Sequence, residues 1–201
     1  MRKWYFTLPL LLAAILVSAQ VIDQKAKTLL EQVKTKYTDY KTLQVGFKMT
    51  LNDKASDIKD VNEGTIYLKG KKFKLDLGDN VLISNGIDLW IHIKSANQVQ
   101  IMKYDENLLE EEFGFSPNTI FTIEKDDFDY RISGEKNVNE KTCTEIELSP
   151  KDKEKFYYKV KLFIEKNSTE VRRAQFFEKG GIEYEFDILN QKPNAELSDA
   201  F

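Results

Sequence analysis

The sequence predicts an α+β fold: one large curved antiparallel sheet around an apolar concavity, a helix ahead of it and a short helical insertion within it. Three observations carry this. Phe156, Tyr158, Val160, Leu162 and Ile164 alternate with Lys159 and Lys161, and Ile182, Tyr184, Phe186 and Ile188 alternate with Glu183, Glu185 and Asp187. A period of two marks strands with one apolar and one wet face. Such segments follow one another through hairpin-type turns, of which Asn85-Gly86 is the strongest. Between 104 and 127 the alternation stops, and large apolar residues mix with an acidic run.

The first element is a helix over roughly 24–38. Asp23 is suited to its N-cap. Ala26, Leu29, Leu30, Val33 and Tyr37 fall at i, i+3, i+4, i+7 and i+11, forming one apolar stripe. Strands follow at 43–51, 64–69, 73–77, 81–84, 89–93 and 99–102, with 52–63 read as a long polar hairpin loop. Leu108, Leu109, Phe113 and Phe115, then Pro117 and Asn118 ahead of Ile120, Phe121 and Ile123, predict two short helices parted near Pro117. Strands resume at 128–132, 143–148, 156–164, 171–177 and 182–188, so about ten or eleven are expected. Leu197 to Phe201 reads as the beginning of another strand, as in a chain that continues past Phe201.

Residues 1–19 read as a secretory signal peptide: Arg2 and Lys3, an apolar run from Leu8 to Val17, and small residues before a cut after Ala19. The rest, 20–201, is expected to form one exported domain. Of the 30 Lys and Arg, Arg2 and Lys3 leave with the signal peptide, while none of the 33 Asp and Glu does; the mature chain carries 28 against 33, a net −5. That balance argues against nonspecific nucleic-acid binding. The single cysteine, Cys143, allows no internal disulfide, so the core alone must hold the domain.

Chemistry is hard to find in the sequence. His92 is the only histidine and lies inside a strand, so a His/Cys metal site lacks ligands. There is no Gly-x-Ser-x-Gly elbow and no phosphate-binding glycine loop. Asp57, Asp60 and Glu63 lack calcium-loop spacing, and Glu183, Glu185 and Asp187 read as a solvated strand face. No cofactor and no catalytic residue are assigned.

Several stretches resemble the bacterial periplasmic outer-membrane lipoprotein carrier family (LolA type). Val45-Gly46-Phe47-Lys48-Met49 is similar to its first strand, and Gly64 to Lys69 with Phe73-Lys74-Leu75-Asp76 to its second and third. Ile83-Ser84-Asn85-Gly86-Ile87-Asp88-Leu89-Trp90 resembles the family's Ser-Asp-Gly…Leu-Trp hairpin, the most specific match. Asn97-Gln98-Val99, the Pro117 segment and Ile146-Glu147-Leu148-Ser149-Pro150 follow in order. The family's Arg-Pro turn before the third strand, associated with closing a lid, is replaced here by Gly70-Lys71-Lys72.

The resemblance implies an incomplete β-barrel whose mouth is closed by helices. It implies a monomeric carrier shuttling acylated lipoproteins from the inner to the outer membrane. Its partners would be an inner-membrane lipoprotein-releasing ABC transporter complex and an outer-membrane receptor. On that reading the cavity wall comprises Val45, Phe47, Met49, Phe73, Leu75, Leu89 and Ile91, and the lid Leu30, Val33, Leu109, Phe113, Ile120 and Phe121. Core packing and cavity lining share this apolar signature. Phe47→Glu is expected to abolish cargo binding without unfolding the protein. A periplasmic lipid- or lipoprotein-sensing domain on the same fold is the alternative, and a hydrolase using His92 a third reading.

Overall fold

The structure, a computed structural model, describes residues 23–113 and 115–197; of Glu112 and Phe113 only the backbone is described. The expected signal peptide and the stretch 198–201 lie outside the described residues.

Helix α1 (Gln24–Thr38) begins where Asp23 accepts hydrogen bonds from the backbone of Lys25 and Ala26. Its stripe of Ala26, Leu30, Val33 and Tyr37 is buried. Strands β1 (Leu43–Asp53), β2 (Ile58–Lys69), β3 (Lys72–Leu77), β4 (Asn80–Ser84), β5 (Asp88–Ile93) and β6 (Gln98–Lys103) follow as hairpins. Helix α2 (Glu106–Phe113) and a 3-10 turn at Lys125–Asp127 form the insertion. The second series is β7 (Phe128–Val138), β8 (Lys141–Pro150), β9 (Tyr157–Glu165), β10 (Val171–Glu178) and β11 (Ile182–Pro193).

All eleven strands form one antiparallel sheet in the order β6-β5-β4-β3-β2-β1-β11-β10-β9-β8-β7. The two ends of the strand series meet at the centre of the sheet, and the insertion runs between its two edges, β6 and β7. These edges do not pair, so the barrel is incomplete. Register extends unbroken rows across the concave face. Val45 lies opposite Ile66, Ile66 opposite Leu75, Leu75 opposite Leu82, and Leu82 opposite Ile91. Met49 continues through Phe186, Ala174, Leu162 and Ile146 to Ile132 on the far edge. Side chains of one row point the same way, which makes a single apolar surface of the whole inner face.

Three expectations are corrected. The stretch 52–63 is not a loop: Asp53 pairs with Ile58, and only 54–57 turn. The polar composition misled because both faces of this hairpin tip are open to water, so no apolar alternation is required. There is also no α-helix over 120–123, and the insertion after Pro117 has only the 3-10 turn at Lys125–Asp127. Residues 117–121 form turns in which the Thr119 and Thr122 hydroxyls donate to the carbonyls of Ser116 and Asn118. Such side-chain bonds compete with helix formation. Finally, Tyr158 does not join the inner face. Register shifts between Phe177 and Glu178 opposite Lys159 and Tyr157, so Tyr157 turns inward and Tyr158 is 51% exposed. A bulge of this kind adds one residue and reverses the alternation beyond it.

The outer face is held by charge pairs rather than being simply solvated. Asp187, 4% exposed, meets Arg173 at 2.6 Å and Lys48 at 3.5 Å, which ties β1, β11 and β10 together. Glu145 meets Lys161, and Glu165 meets Arg172 and Lys141. Burial pushes the Glu145 and Glu165 carboxyls up, but these cations and nearby Ser133 and Ser168 hydroxyls outweigh it and leave both below the usual range.

Candidate functional site

The inner face is not empty. Val45, Phe47, Met49, Phe73, Leu75 and Leu89 are all buried on it, and Ile91 is partly buried beside them. Leu30 and Val33 of α1 cover one part. Leu109 of α2, Phe115, Ile120 and Phe121 cover the rest. Phe113, also expected in the lid, belongs to α2, and its side chain lies outside the described residues.

Phe115, which the sequence reading left out of the lid, is the centre of this plug. Its ring lies 4.3 Å from that of Phe186 and 6.2 Å from that of Phe47. Phe121 stacks at 5.0 Å on Tyr37 of α1. Phe186, Ile66 and Phe176 were likewise missing from the expected wall, although Phe186 shares the row of Met49, Ile66 that of Val45, and Phe176 the neighbouring row through Tyr184 and Leu51. Their alternation was visible in the sequence, but pairing partners were needed to place them on the inner face.

Polar contacts fasten the plug from outside. Lys34 of α1 donates to both oxygens of Glu124 at 2.7 Å. Lys155, in the β8–β9 loop, reaches Glu110 of α2 at 2.7 Å and Asn107 at 3.0 Å. Ser116 donates to Glu106 at 3.1 Å. The Gly70-Lys71-Lys72 turn does not take part: among the described residues neither lysine makes an ion pair. Gly86 approaches Lys71 so closely that a Cβ there would lie 3.1 Å from the lysine Cβ.

An open cavity of about 870 Å³ lies between the insertion and the ends of β8 and β9. Lys71, Glu106, Glu110 and Lys155 are among its polar lining, and Phe128, Tyr157, Val160 and Phe176 among its apolar lining. None of the expected wall residues borders it. They lie beneath the plug, while Val160 and Phe176 carry the inner-face rows out into the opening.

Glu110 is the unusual group here. Its side chain is buried, Oε2 pairs with Lys155, and Oε1 has no hydrogen-bond partner among the described residues. Burial pushes its carboxyl up and nearby Glu106 adds to this, while Lys155 pulls it back. The acidic run Glu110-Glu111-Glu112 suggested solvent. The helical spacing of Glu106, Leu109 and Glu110 was the signal that two carboxylates share the face of an apolar residue.

His92 and Cys143 stand apart from this site. His92 is on the outer side of β5, opposite Val81 and Val99. Cys143 is buried on β8 with Val138 and Phe163, and burial pushes its thiol up. No group of three or more metal-ligating side chains occurs among the described residues. No helix among them is long and apolar enough to cross a membrane.

Solved structures share this fold at low identity. An uncharacterized conserved protein from Thermus thermophilus superposes with a TM-score of 0.57 at 14% identity, covering 88% of this chain and 91% of its own. LprF from Mycobacterium bovis gives 0.53 at 9%, covering 88% and 96%. A putative outer membrane lipoprotein-sorting protein domain from Vibrio parahaemolyticus gives 0.52 at 10%, covering 88% and 95%. No curated protein matches this chain. The family model of the outer membrane lipoprotein carrier protein LolA matches residues 38–201, well over half of the sequence. The chain belongs to the LolA outer membrane lipoprotein carrier family.

Proposed function

We propose that this protein is a periplasmic carrier that holds the acyl chains of lipoproteins on the inner face of its sheet. One observation carries the reading: the apolar inner face is covered by α1 and, for the rest, by the insertion, whose Phe115, Ile120 and Phe121 come from an irregular segment. That segment is fastened by exposed and half-exposed lysines. Exposed ion pairs contribute about 0–1 kcal/mol each, so Lys34–Glu124 is a weak fastener.

Magnitudes favour reversible exchange. A 16-carbon chain loses roughly 12 kcal/mol of water contact, at about 0.8 kcal/mol per methylene. Burying Leu109, Phe115, Ile120 and Phe121 contributes roughly 6–12 kcal/mol, at about 1.5–3 kcal/mol per side chain. Cargo that replaces the plug therefore gains little net free energy from one chain, as release at a second membrane requires. The expected wall and lid residues act in this exchange as surface and plug. The donor would be an inner-membrane lipoprotein-releasing ABC transporter complex and the acceptor an outer-membrane receptor.

Titration of residues 20–201 with a diacylated lipopeptide tests the reading. Saturable one-to-one binding that excludes an apolar fluorescent dye is expected. Absence of binding by folded protein would refute it.

A further inference from the structure

We propose that the free edge of β6 takes up, as an added antiparallel strand, the extended polypeptide that follows the acylated cysteine of a lipoprotein. The inference rests on the carrier reading and extends it from the acyl chains to the polypeptide they are attached to.

The two edges of the sheet differ. At β7 the outward amide of Ile132 is taken by Asp23, and the strand is bulged between Ile132 and Gly134. A bulge and a covering group are common ways of closing an edge to further pairing. Among the described residues β6 has neither. It pairs with β5 without a register shift, and five of its six residues are exposed. The bond from the Tyr104 amide to the Ile87 carbonyl sets the phase of that ladder. Gln98, Gln100 and Met102 turn their backbone groups to β5, so Val99, Ile101 and Lys103 turn theirs outward. No described residue pairs with those outward groups. Val99 and Ile101 are also 56% and 68% exposed, on the outer face opposite His92 and Trp90 of β5. Backbone and side chains together offer a template for one more strand.

Direction and place identify the occupant. β6 runs toward the opening: Tyr104, the residue after the strand, lines the 870 Å³ cavity. A lipoprotein carries its acyl chains on its N-terminal cysteine. With those chains on the inner face, its polypeptide leaves at the opening and runs along β6 from the strand's C-terminal to its N-terminal end. That is the antiparallel sense, the sense of the other pairs in this sheet. The six residues of β6 match roughly 20 Å of extended chain. Main-chain bonds supply the grip, while Val99 and Ile101 favour apolar residues at alternate positions. Cargoes of different sequence can therefore share the site.

Calorimetric titration of residues 20–201 with triacylated cysteinyl lipopeptides tests this. One lipopeptide ends in a single serine. A second carries an extended tail of about eight residues, enough to span the strand. A third carries the same tail N-methylated at alternate amides and is prepared in both phases. The long tail should bind roughly tenfold more tightly than the short one, the scale of a few main-chain bonds less the cost of ordering the tail. N-methylation in one phase should erase that gain and in the other should leave it. Ile101→Pro should also erase it without disturbing the fold, because the amide it removes faces outward. Equal affinity of the short and long tails, or a gain that survives methylation in both phases, would overturn the edge site and leave the carrier intact; neither comparison requires a variant to fold. Unliganded protein that sediments as a dimer, and as a monomer in Ile101→Pro, would assign the edge to a second copy of the chain and overturn the proposal. Binding of none of the lipopeptides by folded protein would overturn the carrier reading and the site together.

Discussion

Asp23 does two jobs with one carboxylate. Oδ1 caps α1, and Oδ2 accepts at 2.9 Å from the backbone of Ile132 on the edge strand β7. The Ile132 and Ala26 amides hold its carboxyl below the usual range against a weaker push from burial, with Lys25 assisting. Asp23→Ala should cost about 1–2 kcal/mol for the lost cap alone, read by urea denaturation. The cap was legible in the sequence because it is local; the bond to β7 was not, because its partner lies 109 residues away. Phe47 shows the same limit. Its ring covers Gly64, where a Cβ would come within 2.7 Å of it, and it is fully buried under the plug. A carboxylate at 47 would be trapped in the closed core, so Phe47→Glu would unfold the protein rather than test binding alone. Glu110 makes a pH prediction. Its raised carboxyl lets the folded state hold a proton at pH values where the unfolded chain, near 4.5, has lost it. Stability should therefore fall as pH rises from 4.5 through the folded value. Lys155 and Glu106 face this carboxylate and set the width of that window. Glu110→Gln should remove this decline in a pH series of melting temperatures, while the opposite loss in more acidic solution from Asp23, Glu145 and Glu165 persists.

At the scale of elements, the insertion is the part that does not belong to the sheet's own logic. Periodicity located α1 and nearly every strand, because α1 and strands such as β1, β3, β8 and β11 bury alternating or striped apolar positions. It could not shape 115–127, where Phe115, Ile120 and Phe121 are placed by tertiary packing and not by any repeat. The bulge at Tyr158 escaped for a related reason, because nothing in a sequence of alternating residues announces one extra member. Phe115→Ala should lower stability by about 3–5 kcal/mol, the usual cost of removing a buried ring, seen in denaturant melts. The same variant should bind an acyl-chain probe more tightly than the unaltered protein, because part of the plug no longer has to be displaced. Weaker binding would mean that Phe115 contacts cargo rather than competing with it.

At the scale of the molecule, the sheet order places the most extensively paired seam opposite the mouth. Its centre joins β1 to β11 along eleven paired positions, and Arg173, Asp187 and Lys48 strap that seam on the outer face. Its edges, β6 and β7, are joined only by the insertion. Rigidity is therefore concentrated opposite the mouth. Arg173→Leu leaves Asp187 buried with Lys48 alone and should cost on the order of 3 kcal/mol in global stability. Lipopeptide affinity should be unchanged in that variant, since the strap faces away from the concavity. The central claim is that acyl chains replace the plug and travel with the protein. Its most direct measurement mixes residues 20–201 with spheroplasts making a radiolabelled outer-membrane lipoprotein and examines the soluble fraction. A soluble one-to-one complex that disappears when acylation is blocked is the predicted result; lipoprotein that stays in the membrane in the presence of folded protein would contradict it.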